Sequence, residues 1–201
     1  MSGDAARTID PEFPNLALDV VEGYRNAPET MIAEVLGGEL HLVNRPRPRH
    51  VRGAGRLASR LAPFDDPRGD DPGGWVILPE PELWLGSRPD ILVPDLVGWR
   101  RERLVEGFLD PAGTGITLAP DWVCEVLSPS TAGVDRKKKL PIYRREKVGH
   151  VWLVDPISRD LEVFRWTPDG WLLVGVFQGD EQVRAEPFDA VPLDLAGLWA
   201  L

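Results

Sequence analysis

Residues 122–131, Trp-Val-Cys-Glu-Val-Leu-Ser-Pro-Ser-Thr, decide the fold of this chain. The first six of them are apolar except for Glu125, and a short run of this kind is typical of a central β-strand buried on both faces. The Ser-Pro-Ser-Thr sequence at residues 128–131 ends the strand. Because strand side chains alternate between faces, Glu125 shares a face with Val123 and Leu127. The sequence therefore predicts a carboxylate among apolar neighbours inside a sheet.

A second carboxylate, Asp95, lies in another apolar stretch. We predict one strand over residues 91–99, with Val93, Asp95 and Val97 on one face. An isolated buried carboxylate is costly unless it is paired, hydrogen-bonded or bound to a metal. Taken singly, each acid is more simply explained as a strand-end group that caps a loop or pairs with an arginine. Two carboxylates on adjacent strands would repel each other, and a divalent cation would relieve that repulsion. For the pair we therefore expect a metal site.

The chain downstream of these strands has basic residues at helical spacing. The pattern Asp135-x-x-x-Lys139-x-x-x-Tyr143 predicts three side chains on one face of a helix. We predict this helix over residues 135–147, with Asp135 as its N-cap and Pro141 as a kink or weak point. Lys139 can then point back toward the strand that carries the glutamate. Spacing alone leaves open the alternative that Lys139 is a solvated member of a run of three lysines.

The remaining hydrophobic patterns predict two further helices, several strands and two hairpins. The predicted helices are residues 15–25 and 49–61, the strands residues 75–78, 82–85 and 150–154, and the hairpins residues 31–43 and 161–177. We predict a loop at residues 62–74, an irregular surface excursion at residues 100–120, and a closing helix or tail at residues 193–201. This order predicts an α/β or α+β fold with a mixed sheet. We predict that residues 15–201 form one domain, preceded by a flexible N-terminal arm at residues 1–14.

The composition is that of an ordinary globular protein. The chain has 201 residues, 43% hydrophobic and 27% charged, which is enough for one domain and short for two. Its single cysteine, Cys124, excludes an internal disulfide and a cysteine-rich zinc site, and favours a reducing, cytoplasmic setting. No stretch approaches the roughly 20 apolar residues that span a bilayer, and residues 1–14 lack the apolar core of a signal peptide. We therefore expect a soluble protein without a membrane partner.

Basic residues are concentrated in two segments, although the net charge is −9. Residues 45–60 carry +6 and residues 135–147 carry +5, so the two segments hold 13 of the 23 lysines and arginines. One interpretation is two solvated helix faces. The other is a basic groove on an acidic body, which forms if the fold brings the segments together. Such a groove would contact the phosphates of a nucleic acid.

Several motifs are similar to those of one protein family. They are Pro94-Asp95, Cys-Glu-Val-Leu-Ser-Pro-Ser-Thr at residues 124–131, the Asp135, Lys139 and Tyr143 spacing, and Val-Trp-Leu-Val-Asp-Pro at residues 151–156. Together they resemble the Uma-two family, a large bacterial group in the PD-(D/E)XK, or restriction-endonuclease-like, superfamily. The segment at residues 31–40 and the helix that begins near His50 are also similar. The resemblance implies a mixed central β-sheet flanked by helices, with extra N- and C-terminal hairpins.

The resemblance also implies a chemistry. Asp95 takes the position of the Pro-Asp acid and Glu125 that of the second acid, and both would hold Mg²⁺ or Mn²⁺ for hydrolysis of DNA phosphodiester bonds. The superfamily lysine normally lies two residues beyond the second acid, where this sequence has Leu127. A lysine of the following helix is thought to replace it in this family, which implies Lys139 as the third catalytic residue. Four further residues in motif-like stretches are interpreted as turn residues or as groups around the site: Glu34, Glu39, His50 and Glu82.

Two other functions stay open. The leucine at residue 127 and the net charge of −9 favour a catalytically degenerate nuclease-fold module that binds nucleic acid or protein without cleavage. A hydrolase or transferase acting on a small phosphorylated ligand would use the same carboxylates. The tryptophans in strands are predicted to fill the core or an interface rather than to stack on bases. The hairpin at residues 161–177 is a candidate surface for a homodimer.

Overall fold

Two β-sheets carry the helices and loops of this protein. A computed structural model describes residues 9–66, 72–108 and 115–200. In chain order, the strands are β1 (Met31–Leu36), β2 (Glu39–Asn44), β3 (Trp75–Pro79), β4 (Leu83–Leu85), β5 (Asp90–Leu92), β6 (Leu96–Arg100), β7 (Trp122–Val126), β8 (His150–Asp155), β9 (Asp160–Thr167), β10 (Gly170–Gln178), β11 (Gln182–Val183) and β12 (Leu193–Asp194). The helices are α1 (Leu18–Arg25), α2 (Pro48–Leu61), α3 (residues 132–145) and α4 (Ala196–Trp199), with 3₁₀ turns at Ala62–Asp65 and Arg101–Arg103.

The central sheet has six strands in the order β10-β9-β8-β7-β6-β3. Its β7–β8 pair is parallel and its other neighbouring pairs are antiparallel, so the sheet is mixed. A second sheet has the order β2-β1-β5-β4, and β11 pairs with β12. The predicted class, a mixed central sheet with flanking helices and additional hairpins at both ends of the chain, is confirmed.

Strand β7 lies inside the central sheet because its side chains are buried on both faces. All five of its residues are buried. On one face Val126 packs with Leu57 of α2, and on the other face Val123 packs with Tyr143 of α3. Burial of a large apolar side chain contributes roughly 1.5–3 kcal/mol. The backbone that positions Glu125 is therefore held between two helices.

Tryptophans fill the core of the central sheet. Trp75, Trp99, Trp122 and Trp152 are each at most 1% exposed. The rings of Trp122 and Trp152 meet edge to face with centroids 5.4 Å apart, and both contact Phe188. Edge-to-face contact brings the positive edge of one ring to the negative face of another. The predicted core role of the strand tryptophans at positions 75, 99 and 152 is confirmed.

Residues 91–99 form two strands, not the single strand that the sequence predicts. Strand β5 belongs to the small sheet, and β6 belongs to the central sheet. Pro94 lies between them and has no backbone N–H with which to continue a ladder. Asp95 therefore lies immediately before β6. The prediction that Asp95 shares the face of one strand with Val93 and Val97 is wrong.

Helix α3 begins earlier than the sequence predicts. It runs from Ala132–Val134 through a π turn at Asp135–Lys139 into Leu140–Arg145. Asp135 lies inside the helix and is only 3% exposed, so its prediction as the N-cap is wrong. Pro141 lies two residues after the end of the π turn. In a regular α-helix its ring would clash with the carbonyl four residues earlier, and the irregular turn lies where that clash would occur.

The first described residues pack against the small sheet. Phe13 is 1% exposed, and its ring centroid lies 4.6 Å from that of Trp84. Asp10 is also buried. Of the arm predicted at residues 1–14, residues 1–8 lie outside the described residues, whereas Asp10 and Phe13 belong to the packed part of the chain.

Two further segments, residues 100–120 and 193–201, have less definite sequence patterns. In the excursion predicted at residues 100–120, Ile116 accepts a backbone hydrogen bond from Trp84 and donates one to Glu82, each at 2.9 Å. Residues 109–114 of that segment lie outside the described residues. Helix α4 confirms the predicted closing helix. No helix in the described ranges is long and apolar enough to cross a membrane.

Candidate active site

A cavity of about 330 Å³ opens between the two sheets. Its charged lining comes from several elements that are distant in sequence: Glu34 from β1, Asp95 before β6, Glu125 from β7, and Asp135 and Lys139 from α3. The three residues that the sequence predicts for the site, Asp95, Glu125 and Lys139, therefore line one cavity.

Asp95 lies beside Glu125 because β6 and β7 pair in antiparallel register, with Leu96 opposite Cys124. Its Oδ2 accepts a hydrogen bond from the backbone N–H of Val126 at 2.6 Å. Its Oδ1 lies 2.5 Å from Nε2 of His50 in α2. Asp95 thus connects the end of β7 to α2.

Glu125 is buried more deeply than Asp95. Its Oε1 accepts a hydrogen bond from the hydroxyl of Tyr143 at 2.5 Å and lies 3.3 Å from Nζ of Lys139. Burial raises the pKa of Glu125 well above its ordinary range, the positive charge of Lys139 opposes this rise, and the neighbouring acids Asp135 and Asp95 add to it. Burial likewise raises the pKa of Tyr143, which keeps its hydroxyl as a donor to the carboxylate.

Lys139 is 6% exposed, so the alternative of a solvated lysine is wrong. Its Nζ lies 3.0 Å from Glu34, 3.3 Å from Glu125 and 3.4 Å from Asp135. Burial alone would lower the pKa of Lys139, but the three carboxylates more than offset that effect and raise the pKa above the ordinary value. The lysine is therefore held as a fixed positive charge against the second acid.

Three further side chains surround the site, and two of them, Glu34 and His50, are among the four residues that the sequence interprets as turn residues or as groups around the site. Glu34 and Asp135 complete the ring of acids about Lys139, and His50 contacts Asp95. Glu34 had a usable signal, because an acid between two apolar strand residues is the same pattern that marks Glu125. For His50 no pattern in the neighbouring sequence indicates the contact.

Two of the motif-like acids lie away from the cavity. Glu39 is exposed and pairs with Lys138 at 2.8 Å. Glu82 accepts a hydrogen bond from Nε1 of Trp84 at 2.7 Å. Neither residue lines the cavity, so their interpretation as residues outside the chemistry is consistent with the structure.

The donor set of the cavity fits a hard divalent cation in its chemistry. Four buried carboxylates line the cavity, so carboxylate oxygens are prominent among its potential metal ligands. Carboxylate oxygens are the protein ligands that Mg²⁺ and Mn²⁺ prefer, and Mg²⁺ usually keeps several waters while binding one or two carboxylates. Within the described residues, no group of three or more His, Cys, Asp or Glu side chains is arranged to hold a metal ion.

The two basic segments of the sequence meet only partly. Arg45 and Arg47 line the main cavity together with Lys139. Arg49 and Arg52 line a separate cavity of about 450 Å³. A third cavity of about 550 Å³ lies beside Trp166 and Trp171. Its basic lining residues come from α3 and the turn after it: Arg136, Arg144, Arg145 and Lys147. The predicted single basic groove is thus divided among three surfaces.

Comparison with protein families identifies the family of this chain. Residues 17–196 match the family model Uma2, described as "Putative restriction endonuclease". The chain belongs to the Uma2 family. This is the Uma-two family that the motifs resemble, and that resemblance is confirmed. Comparison with curated proteins found no match.

Solved structures agree with the fold of this Uma2 protein. One match is a crystal structure from Anabaena variabilis ATCC 29413, described as "a putative nuclease belonging to DUF820". The two chains superpose with a TM-score of 0.68 and 20% identity, over 90% of this chain and 96% of the other. At this level of identity the comparison establishes the common fold.

The superfamily position for the lysine is filled differently in this Uma2 chain. Leu127, two residues beyond Glu125, is 4% exposed and packs in the core beneath α3. A charged side chain at that position would lose the apolar contacts that hold α3 on the sheet. Lys139 supplies the buried cation from the helix, 3.3 Å from Glu125.

Proposed function

We propose that this Uma2 protein is a Mg²⁺- or Mn²⁺-dependent endonuclease that hydrolyses phosphodiester bonds of DNA. Asp95 and Glu125 would bind the metal, and Lys139 would act as the catalytic cation. The observation that carries the proposal is the convergence of two strand-end carboxylates and one buried lysine at a cavity. Family membership supports a nuclease.

The residues of the chain would divide the chemistry as follows. A bound Mg²⁺ supplies charge neutralisation at the scissile phosphate and lowers the pKa of a coordinated water. Lys139 stays protonated among its acids, so it would serve as a fixed positive charge for the developing negative charge rather than as a base. Glu34 and Asp135 fix the position of its Nζ, because they contact it from two different elements.

The nucleic acid would reach the cavity over its basic border. Arg45 and Arg47 line the cavity at the start of α2, and Arg49 and Arg52 follow on the same helix. Contacts from arginines to phosphates fix the register of a duplex without reading its sequence. The remainder of the protein is acidic, with a net charge of −9 for the whole chain. Binding should therefore weaken steeply as salt rises.

The test is calorimetric titration of Mg²⁺ or Mn²⁺ into the wild type and into the double variant Asp95→Ala/Glu125→Ala. Asp90→Asn is the matched control, because Asp90 is also a buried acid, 2% exposed, but pairs with Arg145 away from the cavity. Metal binding that the double variant loses and the control keeps is the expected result. A wild type that binds neither metal would overturn metal dependence.

The second assay is cleavage of supercoiled plasmid and of RNA with each metal. Lys139→Met should abolish cleavage while Lys137→Met, which changes an exposed neighbour, should retain it. One observation favours a second candidate, a degenerate module that binds without cleavage. Both carboxylate oxygens of Asp95 already have protein partners. Binding of DNA without cleavage in any metal would select this second candidate.

A further inference from the structure

Strand β10 is an edge of the central sheet whose outer side is uncovered. It pairs with β9 on one side, and among the described residues no strand pairs with its other side. Its nine residues, Gly-Trp-Leu-Leu-Val-Gly-Val-Phe-Gln, contain no charge. Four aliphatic side chains of this strand are between 37% and 49% exposed: Leu172, Leu173, Val174 and Val176. Exposed aliphatic residues scattered singly are common, but four within five positions form a patch.

Two other sheet edges, β3 and β2, are protected in ways that β10 is not. Strand β3, the opposite edge, ends at Pro79, and Arg101 donates a side-chain hydrogen bond to the carbonyl of Trp75 at 2.8 Å. Strand β2, an edge of the small sheet, carries Glu39, which pairs with Lys138. Proline, charge and capping groups are the usual means of preventing strands from pairing between molecules. Strand β10 has one such device, a bulge between residues 173 and 175.

We propose that two copies of this protein associate through β10, antiparallel about a two-fold axis. A two-fold contact places a surface against its own copy, so the surface must be self-complementary. An uncharged aliphatic strand meets this condition, because no like charges are brought together and each exposed aliphatic side chain meets another. The bulge locally disrupts backbone pairing, so the exposed side chains would carry part of the contact.

The proposed axis has a consequence for the candidate active site. Antiparallel pairing of identical edge strands places the two-fold perpendicular to the sheet, so the same face of both copies points the same way. Helix α3 covers one face of the sheet. Its exposed Arg144, and Lys147 in the turn after the helix, lie beside β10 around a cavity shared with Trp166 and Trp171. Both basic helix surfaces would then flank the axis. Two active sites could cleave the two strands of a duplex, and this consequence rests on the proposed nuclease function. The proposed dimer does not depend on that function.

The experiment measures mass by analytical ultracentrifugation over a range of protein concentrations. The wild type should sediment as a dimer, and the variant Leu173→Lys/Val176→Lys should sediment with half that mass. The matched control is Val105→Lys/Ile157→Lys, which changes two aliphatic side chains that are 72% and 65% exposed elsewhere. It should stay dimeric. A monomeric wild type, or a β10 variant that stays dimeric, overturns the proposal.

Cysteine cross-linking tests the same contact without charge changes. Cys124 is the single native cysteine and is buried. A single cysteine introduced at one of positions 172–176 is therefore expected to form a disulfide only with the same cysteine of a second copy. Mild oxidation should give a disulfide-linked dimer at the position nearest the axis, and none with Val105→Cys. Cross-linking at the control position alone would overturn the proposal. Neither readout uses nuclease activity, so loss of the proposed function would leave the result intact.

Discussion

Replacing Lys139 with methionine tests whether the buried lysine holds the candidate site together. Methionine keeps an unbranched apolar chain of similar length but removes the charge. Three carboxylates would lose a partner within 3.4 Å: those of Glu34, Glu125 and Asp135. Each of these carboxylates has a side chain at most 4% exposed, so water cannot replace the lysine without a rearrangement.

The expected loss follows from the burial of the pair. Removing one partner of a buried ion pair costs about 3–5 kcal/mol, because the other charge is left without compensation. A surface ion pair contributes only about 0–1 kcal/mol. We therefore expect Lys139→Met to lower the free energy of unfolding by about 3 kcal/mol or more, which is more than a hundredfold in the unfolding equilibrium. Such a loss is a large fraction of the roughly 5–15 kcal/mol that a domain has.

Urea unfolding followed by tryptophan fluorescence, with EDTA present, measures this difference. Lys137→Met is the matched control, because that lysine is exposed on the same helix and should change stability by less than about 1 kcal/mol. If Lys139→Met and Lys137→Met were equally stable, the reasoning that assigns Lys139 to the acids would be refuted.

The loss should depend on pH in a defined direction. Burial raises the pKa of Glu125 in the folded protein, and Lys139 is the main group that opposes the rise. A carboxyl whose folded-state pKa is raised stabilises the fold at low pH and loses that contribution as pH rises through the folded-state value. The deficit of Lys139→Met should therefore shrink as pH falls toward 4.5, the ordinary value for this carboxyl. A deficit that does not change with pH would contradict this explanation.

Three other predictions concern single side chains. Tyr143→Phe removes the 2.5 Å hydrogen bond to Glu125 and should lower the free energy of unfolding by about 1–3 kcal/mol in urea titrations. Gly98→Ala should lower the melting temperature, because its methyl group would lie 3.2 Å from two tryptophan rings. Gly55→Ala should raise the melting temperature, because its methyl group would have nothing within 4 Å. Shifts of both variants in the same direction would contradict this prediction. Cys124 is fully buried and burial raises the pKa of its thiol, so iodoacetamide should modify it only in urea, and fast modification of the native protein would count against the packing.

Features with a local cause could be predicted from the sequence. The strand that carries Glu125 is an apolar run with one acid, and the structure buries all five residues of β7. The helical spacing of Lys139 and Tyr143 indicated one face, and both side chains contact Glu125. In these cases the pattern of neighbouring residues determines both the element and the side of the element that is buried.

Features that depend on contacts between distant segments could not be predicted in the same way. The largely apolar residues 91–99 are compatible with one long strand or with two short ones. Asp95 precedes a strand because the chain passes from one sheet to the other at Pro94. Glu34 and Glu39 lie on the same hairpin, and both pair with lysines of α3. Glu34 reaches Lys139 inside the cavity, whereas Glu39 pairs with Lys138 at the surface.

The π turn in α3 has a consequence for the helical phase of the site. In a regular α-helix, four residues advance about 40° beyond a full turn, so side chains eight positions apart drift by roughly 80°. A π turn has i→i+5 hydrogen bonds and is wider, so four residues within Asp135–Lys139 fall short of a full turn. The two deviations oppose each other, which keeps Asp135, Lys139 and Tyr143 directed to the same side. Without this wider turn, a regular α-helix would direct Tyr143 roughly 80° away from Asp135.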